Sequence, residues 1–266
     1  MSASISWNSP DIVRDGLVLY LDASTSNSYN RYSSAGIWKD VNGNNVTGSL
    51  INGPTFSSDI ASSINFDGID DYFEVTNRNT NLEFQPTQPY SAFCWFKGPQ
   101  ITHACLISNL QASSAFPGWD IWFDNDTSPN TIAMHLISTL AGNNGIKVVV
   151  NYNYSSNQNK WIHFGYTYNG SCPTNVSDTL NSINFYFNGI LYTSGKNSTA
   201  LAGFNTSSET ISYSSNQRFR VASRWALGSV VQQSAVGVSR VEVYNRALSA
   251  SEVLQNYNAT KGRFGL

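Results

Sequence analysis

In Trp119-Asp-Ile-Trp-Phe-Asp124 two carboxylates bracket a tryptophan at alternate positions. Successive side chains on a pleated strand point to opposite faces, so Asp120, Trp122 and Asp124 share one face. Trp119, Ile121 and Phe123 share the other. A flat indole beside hydrogen-bonding groups is the equipment of a sugar site: the apolar face carries the ring and the polar groups orient its hydroxyls. The plainer alternative is a partly exposed tryptophan packed beneath a loop. Tyr152 and Tyr154, in Asn151-Tyr-Asn-Tyr154, offer similar aromatic surface, as do the loop tyrosines Tyr29 and Tyr32. Trp225 beside Arg224 suits a platform or an interface anchor. The candidate glycan contacts are therefore Asp120, Trp122, Asp124, Tyr152, Tyr154 and Trp225.

Calcium needs several oxygens held by a rigid loop. Asp124 and Asp126 flank Asn125 at an expected hairpin tip and are the candidate ligands, against a reading as solvated turn residues. Asp40-Val-Asn-Gly-Asn44 lacks the glycine and glutamate spacing of a helix–loop–helix calcium site and reads as an Asx turn. Asp67, Asp70 and Asp71 form a third acidic turn. Calcium is the only cofactor the residues admit.

Catalysis finds no such footing. Glutamates at 74, 83, 209, 242 and 252 are scattered, without the close carboxylate grouping of a glycosidase. His103, His135 and His163 make no metal-ligand motif, and neither a nucleophile elbow nor a phosphate-binding glycine loop occurs. Cys94, Cys105 and Cys172 are odd in number and lack a C-x-x-C pair, which suggests packed thiols and manufacture in a reducing cytoplasm.

The elements that must position these residues are strands. Only 12% of the 266 residues are charged and 13% are aromatic; polarity comes mainly from Asn, Ser and Thr, which favour turns over helices. Apolar or alternating runs recur from Gly16 to Tyr244. Ser63–Phe66 and Asp71–Val75 read as a hairpin about the acidic turn, and Ile183–Phe187 and Ile190–Thr193 as a second about Asn188-Gly189. In Val236–Tyr244 the valine parity changes near Ser239, as at a bulge. Ser249-Ala-Ser-Glu252 is a capping box opening the one helix signalled; Gly170–Thr179 and Lys196–Ser215 read as loops. The pattern predicts an all-β fold: a two-sheet antiparallel jelly-roll sandwich with one short C-terminal helix. Residues 1–14 read as an N-terminal arm, with Ile5 and Trp7 as candidate interface residues, and 15–266 as the domain. A net charge of −2 gives no reason to expect nucleic acid, and no apolar run is long enough to enter a membrane.

Several of these segments resemble laminin-G-like, concanavalin A-like lectin/glucanase domains. The resemblance is carried by Gly16-Leu-Val-Leu-Tyr-Leu-Asp22, Trp38-Lys-Asp40 with Gly43-Asn-Asn45, and Phe66-Asp-Gly-Ile-Asp-Asp-Tyr72. It continues through Trp161-Ile-His-Phe164, Tyr168-Asn-Gly170 and Phe185-Tyr-Phe-Asn-Gly189 to Val243-Tyr-Asn-Arg-Ala-Leu-Ser249 with Glu252. It implies that Asn245, Arg246 and Ser249 tie the last strand to its capping helix. Gln255-Asn-Tyr-Asn-Ala259 and Lys261-Gly-Arg-Phe-Gly-Leu266 are similar to versions carried by tailed bacteriophages. That likeness implies a non-catalytic virion structural protein: a capsid decoration or surface protein with other capsid or tail proteins as partners, made in the host cytoplasm. The alternative is a glycan-binding adhesin module of a tail or fibre. A homo-oligomer is compatible with either, although no coiled coil enforces one.

Overall fold

The structure, a computed structural model, describes residues 11–33, 36–98, 103–111, 116–124, 130–226 and 229–266. Ile5, Trp7 and Asp126 lie outside the described residues. In chain order the strands are β1 (Leu17–Asp22), β2 (Ile37–Lys39), β3 (Thr47–Ile51), β4 (Thr55–Ser57), β5 (Ser63–Asp67), β6 (Tyr72–Val75), β7 (Tyr90–Lys97), β8 (Ala104–Ser108), β9 (Gly118–Asp124), β10 (Thr131–Thr139) and β11 (Asn144–Asn151). They continue as β12 (Trp161–Tyr168), β13 (Ile183–Phe187), β14 (Ile190–Tyr192), β15 (Asn197–Gly203), β16 (Arg220–Val221), β17 (Arg224–Ala226), β18 (Ser229–Val231) and β19 (Ala235–Tyr244). The helices are α1 (Tyr154–Asn157), α2 (Val176–Ser182) and α3 (Ala250–Thr260).

Two antiparallel sheets enclose one core. The eight-stranded sheet runs β14-β13-β12-β7-β19-β5-β4, with β1 also paired to β19. The nine-stranded sheet runs β15-β11-β10-β9-β8-β16-β6-β3-β2. Alternation decides what each sheet contributes: Ala92, Cys94 and Phe96 of β7 face Trp119, Ile121 and Phe123 of β9 across the interior. In β19 the register shifts between Val238 and Arg240, so Val236, Val238, Val241 and Val243 all reach the core despite their change of parity. Asn188 and Gly189 both adopt positive φ, 50° and 78°, as the tight turn between β13 and β14 requires.

Three local expectations are revised. Ser63–Phe66 and Asp71–Val75 do not pair: β5 joins the eight-stranded sheet and β6 the nine-stranded one. The acidic turn is thus a corner between layers, a use that the same turn residues serve equally well. Asn175 caps α2 by accepting from Asp178 N at 3.0 Å, adding a helix where a loop was expected. The Lys196–Ser215 stretch contains the edge strand β15.

The C-terminal end seals the outer face of the eight-stranded sheet. Ser249 and Glu252 complete the capping box of α3, and Arg246 grips Glu252 with two nitrogens, at 2.6 and 3.0 Å. These bonds hold the Glu252 carboxyl down at about 2. Trp95, outward on β7, lies beneath α3 and the final turn, stacked on Phe264 with ring centroids 3.8 Å apart. Arg263 pairs with Asp22 at 2.9 Å, pinning the chain end to β1. Residues 11–14, expected within the arm, are packed here too: Ile12 is buried and Val13 N donates to Asn256 Oδ1 at 2.8 Å. Among the described residues no helix is long and apolar enough to cross a membrane.

Candidate functional site

The outer face of the nine-stranded sheet gathers the predicted carboxylates into an ion-paired layer. β9, β10 and β11 are adjacent, and their register sets Asp120 opposite His135 and His135 opposite Lys147. The next outward row is Trp122, Ala133 and Val149. Asp120, Trp122 and Asp124 do share one face, opposite to the core-facing Trp119, Ile121 and Phe123. They are nevertheless buried, at 0%, 4% and 3% exposure. The segment around the β17–β18 hairpin is tied down over them: Cys105 N donates to Gln232 O at 3.0 Å, and Ser234 Oγ donates to Cys105 O at 2.7 Å.

Burying this many charged groups is tolerable only because they are matched. His135 Nδ1 lies 2.7 Å from Asp120 Oδ1, and Arg224 Nη1 stands 3.6 Å from Asp120 Oδ2. Lys147 Nζ donates to Asp124 Oδ2 at 2.6 Å. The Arg224 guanidinium sits over the Trp122 ring, 4.0 Å from its centroid, so one indole face already has a cationic cover. Above this layer is a cavity of about 290 Å³. Trp122, Asp124, His135, Lys147, Arg224 and Gln232 form its polar side; Leu110, Phe116, Ile137, Leu140 and Leu201 form its apolar side, with His103 at the rim. A mixed lining of this kind holds a small polar ligand by apolar contact and orients it with a few fixed groups.

The remaining predicted residues do not converge here. Tyr152 continues the inward parity of Val148 and Val150, and packs in the core against Phe96, Phe123 and Phe187. It is unavailable to a surface ligand. Tyr154 opens α1, and its side chain lies outside the described residues. Trp225 packs instead against Arg220, 5.0 Å from the guanidinium carbon to the ring centroid, and is not part of the cavity wall. Asp124 is a poor calcium ligand, since the Lys147 ammonium already occupies the position a cation would take. The other acidic turns spend their oxygens on backbone. Asp40 accepts from Tyr20 N, Asn42 N and Asn44 N. Asp67, Asp70 and Asp71 bring carboxylate oxygens within 4.8 Å of one another, but Asp67 accepts from Ile69 N and Asp71 from Asp67 N. Sequence reasoning missed His135, Lys147 and Arg224. The parity of β10 and β11 carries a signal for the first two; the position of Arg224 depends on a hairpin folding back over a sheet formed far earlier in the chain.

A family model for the concanavalin A-like lectin/glucanases superfamily, of the third laminin-G type, matches residues 67–254. The chain belongs to this family. Among solved structures, this concanavalin A-like domain is similar to the binding domain of Paraclostridial mosquitocidal protein 1, with a TM-score of 0.61 and 17% identity over 92% of this chain and 52% of that one. It is also similar to the binding domain of botulinum neurotoxin DC, determined in complex with rat synaptotagmin II (TM-score 0.59, 14% identity, 93% and 52% covered). The same binding domain determined with SialylT aligns at a TM-score of 0.58 and 15% identity, with 93% and 52% covered. The chain spans about half the length of these toxin domains, and at such identities the likeness is one of fold. No curated protein sequence matches it significantly.

Proposed function

We propose that this concanavalin A-like domain is a non-catalytic, lectin-like binding module that holds host-surface carbohydrate in the cavity over Trp122. The observation that carries the reading is the cavity's lining: an apolar wall facing a row of fixed donors and acceptors, all carried by rigid strands and the hairpin pinned to them. Binding domains recur among its structural neighbours, one determined with a protein receptor and one with SialylT. Asp120 and Asp124 are four residues apart on one strand, so their carboxyls project roughly 13 Å apart, beyond the roughly 5–9.5 Å that flanks a scissile glycosidic bond. Both also face cations, Arg224 at Asp120 and Lys147 at Asp124. This geometry supports binding over hydrolysis.

The setting we propose is the surface of a tailed-phage virion, where the module decorates capsid or tail and captures host glycans through many weak copies. Its support is the sequence likeness of Gln255–Ala259 and Lys261–Leu266 to phage-borne versions of the family. A glycan array read with and without calcium tests the binding reading. Binding to a host-surface glycan is expected, with loss in Ala200→Trp, which plugs the cavity from an exposed position at unchanged melting temperature. No binding under either condition overturns it. Mass spectrometry of purified particles tests the setting independently.

A further inference from the structure

The outer face of the eight-stranded sheet has a cavity of its own, about 460 Å³, beside the region that α3 and the chain end cover. In β5, Ile64 and Phe66 turn into the core, so Ser63 and Asn65 face outward. Gly237 of β19 stands between two outward residues, opposite Asn65 on one side and opposite Lys97 on the other. A Cβ at Gly237 would come within 2.7 Å of Asn65 Oδ1, so the missing side chain opens a notch between Asn65 and Lys97. Ser57, Asp59, Gln158 and Asn159 wall it. Trp161, half-buried and packed on Phe264, is the cross-strand partner of Lys97 on the side away from Gly237. It supplies an aromatic edge one strand over.

Several polar groups of this notch keep donors spare, in contrast to those around Trp122. Asn65 uses Oδ1 to accept from Ser63 Oγ at 3.0 Å, which leaves its Nδ2 donors spare. Among the described residues the Lys97 ammonium has neither an ion pair nor a hydrogen bond, and the side-chain amides of Gln158 and Asn159 are likewise unengaged. The Asp59 carboxylate, which accepts from Ser62 N at 3.0 Å, adds an acceptor to these donors, and the ligand they suit is rich in hydroxyls. One free ammonium matches one carboxylate; a phosphate would call for more cationic contact. The apolar lining is limited to Phe66, Ala235 and Val236, too little to anchor a peptide side chain.

We infer that the notch at Gly237 is a second binding site, for a carboxylate-bearing saccharide unit whose acid group meets Lys97 and whose hydroxyls meet Asn65, Gln158 and Asn159. It lies on the opposite sheet from the Trp122 cavity, so either site can fail without the other. The test is a backbone amide NMR titration of the full chain with glucuronate, with glucose as the uncharged control. Saturable shifts at Lys97, Gln158 and Asn159 are expected, with glucuronate binding about fivefold more tightly than glucose. Lys97→Met should reduce glucuronate to the level of glucose, and Gly237→Ala should weaken both sugars. Ala200→Trp should change neither. Absence of saturable shifts at the notch, equal affinity for the two sugars, or an unchanged preference in Lys97→Met would each overturn the assignment.

Discussion

Two patches on opposite outer faces of this sandwich are closed by different physics. On the eight-stranded sheet, Phe93, Trp95 and His163 are covered by α3 and Phe264 in a patch of stacked rings, with the Arg240–Glu242 and Arg263–Asp22 pairs to one side. His163 is fully buried and, among the described residues, neither ring nitrogen has a hydrogen-bond partner; burial first, and Arg240 second, hold its pKa at about 3. On the nine-stranded sheet, buried Asp120, Asp124 and His135 pair with half-buried Lys147 and Arg224 as a matched set, with Trp122 among them. The patch beneath α3 fills volume and has little left to offer a ligand, unlike the notch at Gly237 beside it. The second leaves a cavity whose polar walls are held by mutual pairing. Packing by rings makes a structural patch, and pairing of polar groups makes one on which a ligand can replace partners.

The comparison can be broken at either end. Trp95→Ala should cost about 3–5 kcal/mol in urea unfolding, because a stacked, fully buried ring is lost; a cost below about 1 kcal/mol would mean that the C-terminal seal is not structural. His135→Ala should cost about 2–3 kcal/mol by removing the close partner of a fully buried carboxylate. Adding Asp120→Asn should recover part of that loss, a rescue that an aromatic face would not give. If the double variant is no more stable than the single one, the polar layer is not a matched set.

Acid should act through the sealed face. Folded, His163 stays neutral down to about pH 3, whereas the unfolded chain protonates it near the ordinary value of 6.5. The unfolded state therefore binds the extra proton, and stability falls as pH drops from 6.5 towards 3, by about 2 kcal/mol at pH 5. His163→Phe should flatten that limb of a stability–pH curve between pH 6.5 and 5, and an unchanged slope would exclude His163 as its source. Smallest is Ser249→Ala, expected to cost about 1 kcal/mol in thermal or urea unfolding as the α3 cap is lost.

Features governed by neighbours in sequence were readable from the chain. Strand alternation placed Trp119, Ile121 and Phe123 on one side of β9 and Asp120, Trp122 and Asp124 on the other. The valine parity change marked the bulge in β19, Asn188-Gly189 the turn, and Ser249 with Glu252 the start of α3. Each depends on a period, a dihedral preference or a bond spanning a few residues. What lies across a face depends on contacts between distant segments. Asp67–Asp71 turns the chain from one sheet to the other because Ile64 and Phe73 find core positions in different layers. Trp122 is covered because Arg224 folds back over it, and among the described residues Lys97 has no ion pair, its partner in β19 being a glycine. Local sequence determined which way each side chain points; only tertiary packing decided which of those directions leads to solvent, a partner or a cavity, because burial is set by what arrives from elsewhere in the chain.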